Sequence, residues 1–198
     1  RESFAQLTNS LLNNLAKRTL ARQIQDISGK AQVAIDILVR NLFERTADIG
    51  FLAIDQVVRQ YALATARGEA VHPEILGGRF REYVAKYSVY RDVILLSPQG
   101  EVLARLDHGR EGSPDGTISR PPFLQEALTT SAPFVESYAP VDLFPGEPPV
   151  LIYAYRVEDP ASGVLGVLCL CFDFPDEMAR IFTDLARDGD WSVITLLD

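Results

Sequence analysis

The sequence predicts an α+β fold, a long N-terminal helix and further helices followed by a five-stranded antiparallel sheet. Three observations carry that expectation. From Glu2 to about Thr46 there is no proline, and apolar residues recur in steps of three or four, with one of five, at Leu7, Leu11, Leu15, Leu20, Ile24, Ile27, Ala31, Ile35, Leu38 and Leu42. After Tyr90 the chain changes to short apolar runs divided by turn residues, which reads as strands. Between the second and third of these strands sits one short proline-started helix, Pro122 onward.

An unbroken first helix is about 67 Å long at 1.5 Å per residue, longer than a small domain is wide. It therefore runs beside more than one module or pairs with a second copy, and Ser28-Gly29 is where its continuity is most threatened. A second helix is expected from Asp48 to Arg67, stopped by Gly68, and a third from Pro73 through Phe80, Tyr83, Val84 and Tyr87. Val93–Ser97, the turn Pro98-Gln99-Gly100 and Glu101–Asp107 form a hairpin; His108–Ser119 is a polar, glycine-rich loop. After the short helix come the strand PFVESYAP, a proline-rich loop from Phe144 to Pro149, and the strands VLIYAYRVE and VLGVLCLCFDF. The last two flank the turn Asp159–Gly163 and should pair antiparallel. Pro175 suits the first turn of a closing helix, Asp176–Ala186, with Asp173 near its start. One face of this sheet is expected against the long helix, the other toward a cavity covered by the loop and short helix.

Composition excludes several classes. The chain has 198 residues, 47% hydrophobic and 23% charged, as globular proteins have, with a formal net charge of -8. No basic stripe is long enough to neutralise a phosphate backbone, so no nucleic-acid partner is expected. Cys169 and Cys171 would lie on one strand face about 6.5 to 7 Å apart, at or beyond disulfide reach, and read as small buried hydrophobes. His72 and His108 stand far apart outside any zinc spacing, so neither metal nor cofactor is expected. No apolar segment reaches the roughly 20 residues that span a bilayer, though the chain begins within a helix and ends within a strand, as a piece of something longer would.

Catalysis finds no support. There is no Ser-His-Asp set, no glycine-rich phosphate loop and no helical His pair with glutamate; Asp176 and Glu177 read as helix-start charges. The residues around the expected cavity suit binding. Arg120 precedes the proline-started helix, where a guanidinium meets a carboxylate or phosphate bidentately, or else is a surface arginine. Phe123 faces the same way as Ala127 and either lines a pocket or fills the core. Tyr138 ends its strand; Tyr153 and Tyr155 share a face with Leu151 and Val157, while Ile152, Ala154 and Arg156 take the other. Each tyrosine can bury its ring and offer a hydroxyl, or simply be half-buried in a sheet. Asp173 closes the last strand, placed to accept an amine or to start the next helix.

Taken together, YRDVILLSPQGEVLARLD, SRPPFLQEALTTSAPFVESY and VLIYAYRVEDPASGVLGVLCLCFDF resemble the Cache family, the PAS-like extracytoplasmic sensor domains of chemoreceptors, sensor histidine kinases and diguanylate cyclases. The resemblance spans roughly residues 90 to 174 and lies in the order of blocks, with the long helix fitting as a stalk. It implies a stalk and dimerisation helix over 1–47, a membrane-distal PAS-like Cache module over 48–188, and over 189–198 the start of a second module, with WSVITLLD as its first strand. It also implies an extracytoplasmic, periplasmic part of an inner-membrane receptor with spans on either side, a homodimer through the N-terminal helix, and a small-molecule ligand. Arg120, Tyr138 and Asp173 match the arginine, tyrosine and aspartate of the amine-binding members. Pro122-Phe123 stands in place of their Trp-Tyr pair, Ala127 comes one residue late, and Asp115 replaces a tyrosine. Those departures favour a carboxylate on Arg120, or another small metabolite, over an amino acid. The alternative is a ligandless PAS-like module that dimerises or binds a protein partner.

Overall fold

In the computed structural model, residues 2–85, 89–106 and 116–185 are described. Their elements run α1 (Glu2–Ala53), α2 (Gln56–Ala66), α3 (Pro73–Val84), β1 (Tyr90–Leu96), β2 (Val102–Arg105), α4 (Pro122–Thr129), β3 (Val135–Ala139), β4 (Val150–Asp159), β5 (Gly163–Phe172) and α5 (Phe174–Leu185). This is the α+β order the sequence predicts. Tyr87, most of the 108–119 loop and the 189–198 segment lie outside the described residues, so the second-module expectation is untouched by this description.

The first helix departs from expectation at its end. It passes through Ser28-Gly29 unbroken and continues to Ala53, so no boundary falls between Thr46 and Asp48. The stop comes at Asp55, whose side chain accepts hydrogen bonds from the Val57 and Val58 amides and caps α2. Gly50 is carried within α1, its Cβ position facing the Tyr155 ring at 4.0 Å. The closing helix likewise begins two residues early, at Phe174, with Pro175 in its first turn.

The five strands form one sheet in the order β2-β1-β5-β4-β3, every neighbouring pair antiparallel. The turn residues and apolar runs explain the pairing. Gly163, at a φ of 76°, closes the β4–β5 hairpin, where the Asp159 carboxylate accepts from the Ala161 and Ser162 amides. The central strand β5 is buried from Leu165 to Phe172, which is what a near-continuous apolar run in mid-sheet requires.

Two compact units divide the chain, Leu42–Glu177 and a second of Arg1–Asn41 with Met178–Asp198. In the second unit Ala34, Met178 and Ile181 are buried. In the first, the sheet separates two apolar cores. On one face Ile49, Leu52 and Ala53 of α1, Val58 and Tyr61 of α2, and Leu76 and Phe80 of α3 pack on Val93, Leu95, Tyr153, Leu168 and Leu170. On the other, Phe123, Leu124 and Ala127 of α4 and Val141, Leu143 and Phe144 pack on Ile94, Leu96, Ile152, Cys169 and Cys171. Fully burying one such aliphatic side chain contributes roughly 1.5–3 kcal/mol. The second face was expected to bound a cavity; its described residues instead fill it with apolar side chains, because Val141–Phe144 fold in beside α4.

Candidate ligand site

α4 and the residues before it are held by polar contacts that the sequence only partly announces. The Ser119 hydroxyl donates to Asp142 Oδ1 at 2.5 Å, and the Arg120 amide donates to Asp142 Oδ2 at 3.3 Å. Ser119 is also buried, and its amide donates to the Gly100 carbonyl at 2.7 Å, joining this stretch to the β1–β2 turn. Gly100 sits at a φ of 91°, and a Cβ there would lie 2.0 Å from the Ser119 carbonyl oxygen, so only glycine fits. Between that turn and α4 opens a cleft of about 360 Å³ lined by Pro98, Gln99, Arg120, Pro121, Pro122, Leu124 and Gln125. It combines one guanidinium, two primary amides and apolar walls, a set that suits a small anion with an apolar body.

The sequence-chosen residues divide between the two faces of the sheet. Arg120 is exposed in the cleft, while Phe123, at 3% exposure, belongs to the packed core beside it and so fills rather than lines. Tyr153 is buried on the opposite, helix-covered face, where its ring meets Phe134 and Phe172, and Tyr155 packs at the edge of the same core. Burial, with the nearby Glu136 carboxylate, pushes the Tyr153 hydroxyl well above its ordinary pKa, so it stays a neutral donor. Tyr138 pairs across from Leu151, which puts it on that helix-covered side, half exposed against Phe174. Asp173 is exposed beyond the end of β5, its carbonyl accepting from the Glu177 amide in the first turn of α5. Of these six residues the structure therefore places Arg120 alone in the cleft, with Phe123 in the core beneath it, the three tyrosines behind the sheet and Asp173 beyond the end of β5.

Several polar residues escaped the sequence reading. Asp92, fully buried, accepts from the Val93 and Leu106 amides and from Arg105, itself 3% exposed. Burial raises the Asp92 carboxyl pKa, against the pull of Arg105 and the two amides. Both Arg105 and Arg91 lie over the Phe144 ring, at 5.7 and 4.7 Å from its centre, and Arg91 is ion-paired with Glu147. The signal in the sequence was slight, an aspartate and an arginine interrupting otherwise apolar strands of one hairpin. Burial drives the Cys169 and Cys171 thiols far above their usual pKa, which leaves them inert packing groups. Among the described residues no group of three or more His, Cys, Asp or Glu is arranged to hold a metal.

On the helix-covered side, tyrosines tie the sheet to α1 and α2, and α3 to α1. Tyr90 donates to Asp48 Oδ2 at 2.5 Å, Tyr83 donates to the Asp48 carbonyl at 2.8 Å, and Tyr61 donates to the Leu103 carbonyl at 2.9 Å. Arg45 completes the group, 2.8 Å from Asp48.

This sheet order, with helices on one side and a short helix between the second and third strands on the other, is a PAS-like α+β fold. Among solved structures, the chain is similar to the sensor domain of the V. cholerae histidine kinase DctB, with TM-score 0.63, 16% identity, and 81% of this chain covering 60% of that one. It is also similar to the E. coli DcuS sensor domain, with TM-score 0.52, 11% identity, and 70% of this chain covering 91% of that one. The extracellular domain of the histidine kinase vpHK1S-Z8 matches at TM-score 0.52 and 12% identity, with 83% of this chain covering 61% of that one. The chain thus spans about 60% of the DctB domain's length. No family model matches the sequence, and no curated protein matches it.

Proposed function

We propose that this chain is the extracytoplasmic sensor module of a transmembrane signalling receptor, and that it binds a small carboxylate metabolite in the cleft at Arg120. The observation that carries the proposal is the shared fold with sensor domains, at TM-score 0.63 to the DctB domain, combined with a guanidinium in a cleft beside α4. A ligand carboxylate lies along the Arg120 guanidinium, with Gln99 and Gln125 as further donors and Leu124 against its carbon chain. Such a ligand bridges the β1–β2 turn and the start of α4. A movement of β1 and β2 then reaches α1 through the Tyr90–Asp48 hydrogen bond and α2 through Tyr61 and the Leu103 carbonyl. The signal is the ligand's differential affinity for two arrangements of these elements.

In the same proposal the receptor is a homodimer through α1. Leu7, Leu11, Leu15, Leu20, Ile24 and Ile27 are each more than half exposed in the single chain, an apolar line that a second copy of the helix covers. No helix among the described residues is long and apolar enough to cross a membrane.

A thermal-shift screen of the 198-residue chain against organic acids, amino acids, amines and nucleotides, repeated with Arg120→Ala, tests the proposal. A ligand at 100 times its dissociation constant stabilises by about 2.7 kcal/mol, a clear rise in midpoint. The expected result is a shift from an organic acid that falls sharply in the variant; no shift from any class favours a ligandless dimerisation module.

A further inference from the structure

A second concentration of charge lies at the start of β1, and nothing in the Arg120 cleft accounts for it. Tyr90 pairs across from Phe172 and Asp92 from Cys171, which leaves Arg91 as the extra residue of a bulge. A bulge re-aims a side chain, and here it turns Arg91 onto the α4 side, where its guanidinium stacks over the buried Phe144 ring at 4.7 Å. Arg91 Nη2 pairs with Glu147 Oε2, while the neighbouring Nε is buried with no hydrogen-bond partner. A guanidinium edge presents Nε and Nη2 side by side and fits both oxygens of one carboxylate. Glu147 therefore uses half of that edge.

The local chain explains why Glu147 takes only half. Phe144-Pro145-Gly146-Glu147 forms a turn in which the Glu147 amide donates to the Phe144 carbonyl at 3.2 Å and Gly146 has a φ of 75°. Proline second and a left-handed glycine third are the marks of a type II turn. The turn sets the ring and the carboxylate at its two ends, so Glu147 approaches Arg91 from a fixed backbone. Its side chain is 37% exposed and that of Arg91 16%, so the pair sits at a solvent-facing edge.

We propose that the Nε–Nη2 edge of Arg91 is a carboxylate-binding subsite occupied by the chain's own Glu147, and that a free carboxylate binds there by displacing Glu147. A free acid is not tethered to the turn and can align with both donors, whereas Glu147 reaches one. Glu147 thus acts as a built-in competitor that sets the ligand concentration needed. This inference does not rest on the Arg120 cleft.

The test is a titration of malonate into the ¹⁵N-labelled 198-residue chain, following the Arg91 Nε–H resonance, identified by its loss in Arg91→Lys. Glu147→Gln removes the competing charge on an exposed turn and is expected to tighten malonate binding about tenfold, with a large shift of that resonance. Adding Arg91→Gln to Glu147→Gln is expected to abolish the binding, and Arg120→Ala to leave it unchanged. Equal or weaker affinity in Glu147→Gln, an unmoved Arg91 resonance, or loss of the binding in Arg120→Ala overturns the proposal. The last of these outcomes would leave the Arg120 reading standing, and the expected set would hold even if that cleft bound nothing. Should the double variant fail to fold, as judged by its amide spectrum, the Glu147→Gln titration alone decides.

Discussion

Asp92 and Arg105 show how much a single pair of residues can carry here. Both are buried, and the carboxylate has four donors around it, so the pair is stable only as a pair. Arg105→Met leaves a buried carboxylate without its counter-charge and should cost about 3–5 kcal/mol in urea unfolding. Replacing both, with Asp92→Leu added, should restore most of that loss, which a double-mutant cycle reads directly. Asp55 is a second case. Burial works to raise its carboxyl pKa, but the Arg79 guanidinium at 2.6 Å and the Val57 and Val58 amides outweigh it and hold the carboxyl below its usual value. Its stabilising contribution is therefore full above the unfolded value of about 3.9 and is lost as pH falls through the lower folded value. Asp55→Ala should cost about 1–2 kcal/mol near neutral pH and progressively less in acid, checked by urea melts across that range. Asp92 is not legible in the sequence as a structural anchor. A charge in a strand reads as solvent-facing until its cross-strand partner is known, and that partner is 13 residues away in the hairpin.

Elements were easier to read than residues, because periodicity and turn chemistry are local. The five strands follow from apolar runs cut by Pro98-Gln99-Gly100 and by Asp159–Gly163, and the α4 position follows from Pro121-Pro122. The misplaced end of α1 has an equally local cause. No breaker stands between Thr46 and Ala53, and the stop is the capping carboxylate of Asp55, a signal that Asp55-Gln56-Val57-Val58 contains. The filled second face was not legible, since it depends on Val141–Phe144 folding back over the sheet. Packing between elements gives a further prediction. A Cβ on Gly166 would lie 2.4 Å from the Leu96 carbonyl oxygen, so β1 and β5 meet there only with glycine. Gly166→Ala should cost about 2–3 kcal/mol and loosen hydrogen-exchange protection along β1 first.

For the whole molecule, α1 carries an exposed apolar line from Leu7 to Ile27, which the proposed dimer covers. Sedimentation should find a concentration-dependent dimer, and Leu15→Glu, at a residue 60% exposed in the single chain, should weaken it without lowering the melting temperature of the module. The long helix and the α+β order were readable because an apolar stripe of that length has few other uses. The ligand was not, because Arg120 is one exposed guanidinium in an open cleft and the tyrosines chosen with it lie behind the sheet. Native mass spectrometry of the 198-residue chain, incubated with a mixture of small organic acids, tests ligand binding at Arg120 without a choice of acid in advance. In a chain carrying Arg91→Gln, a bound species of one acid's mass that survives gentle desolvation and is lost on adding Arg120→Ala is expected; bare protein alone at every acid concentration would contradict ligand binding in the cleft.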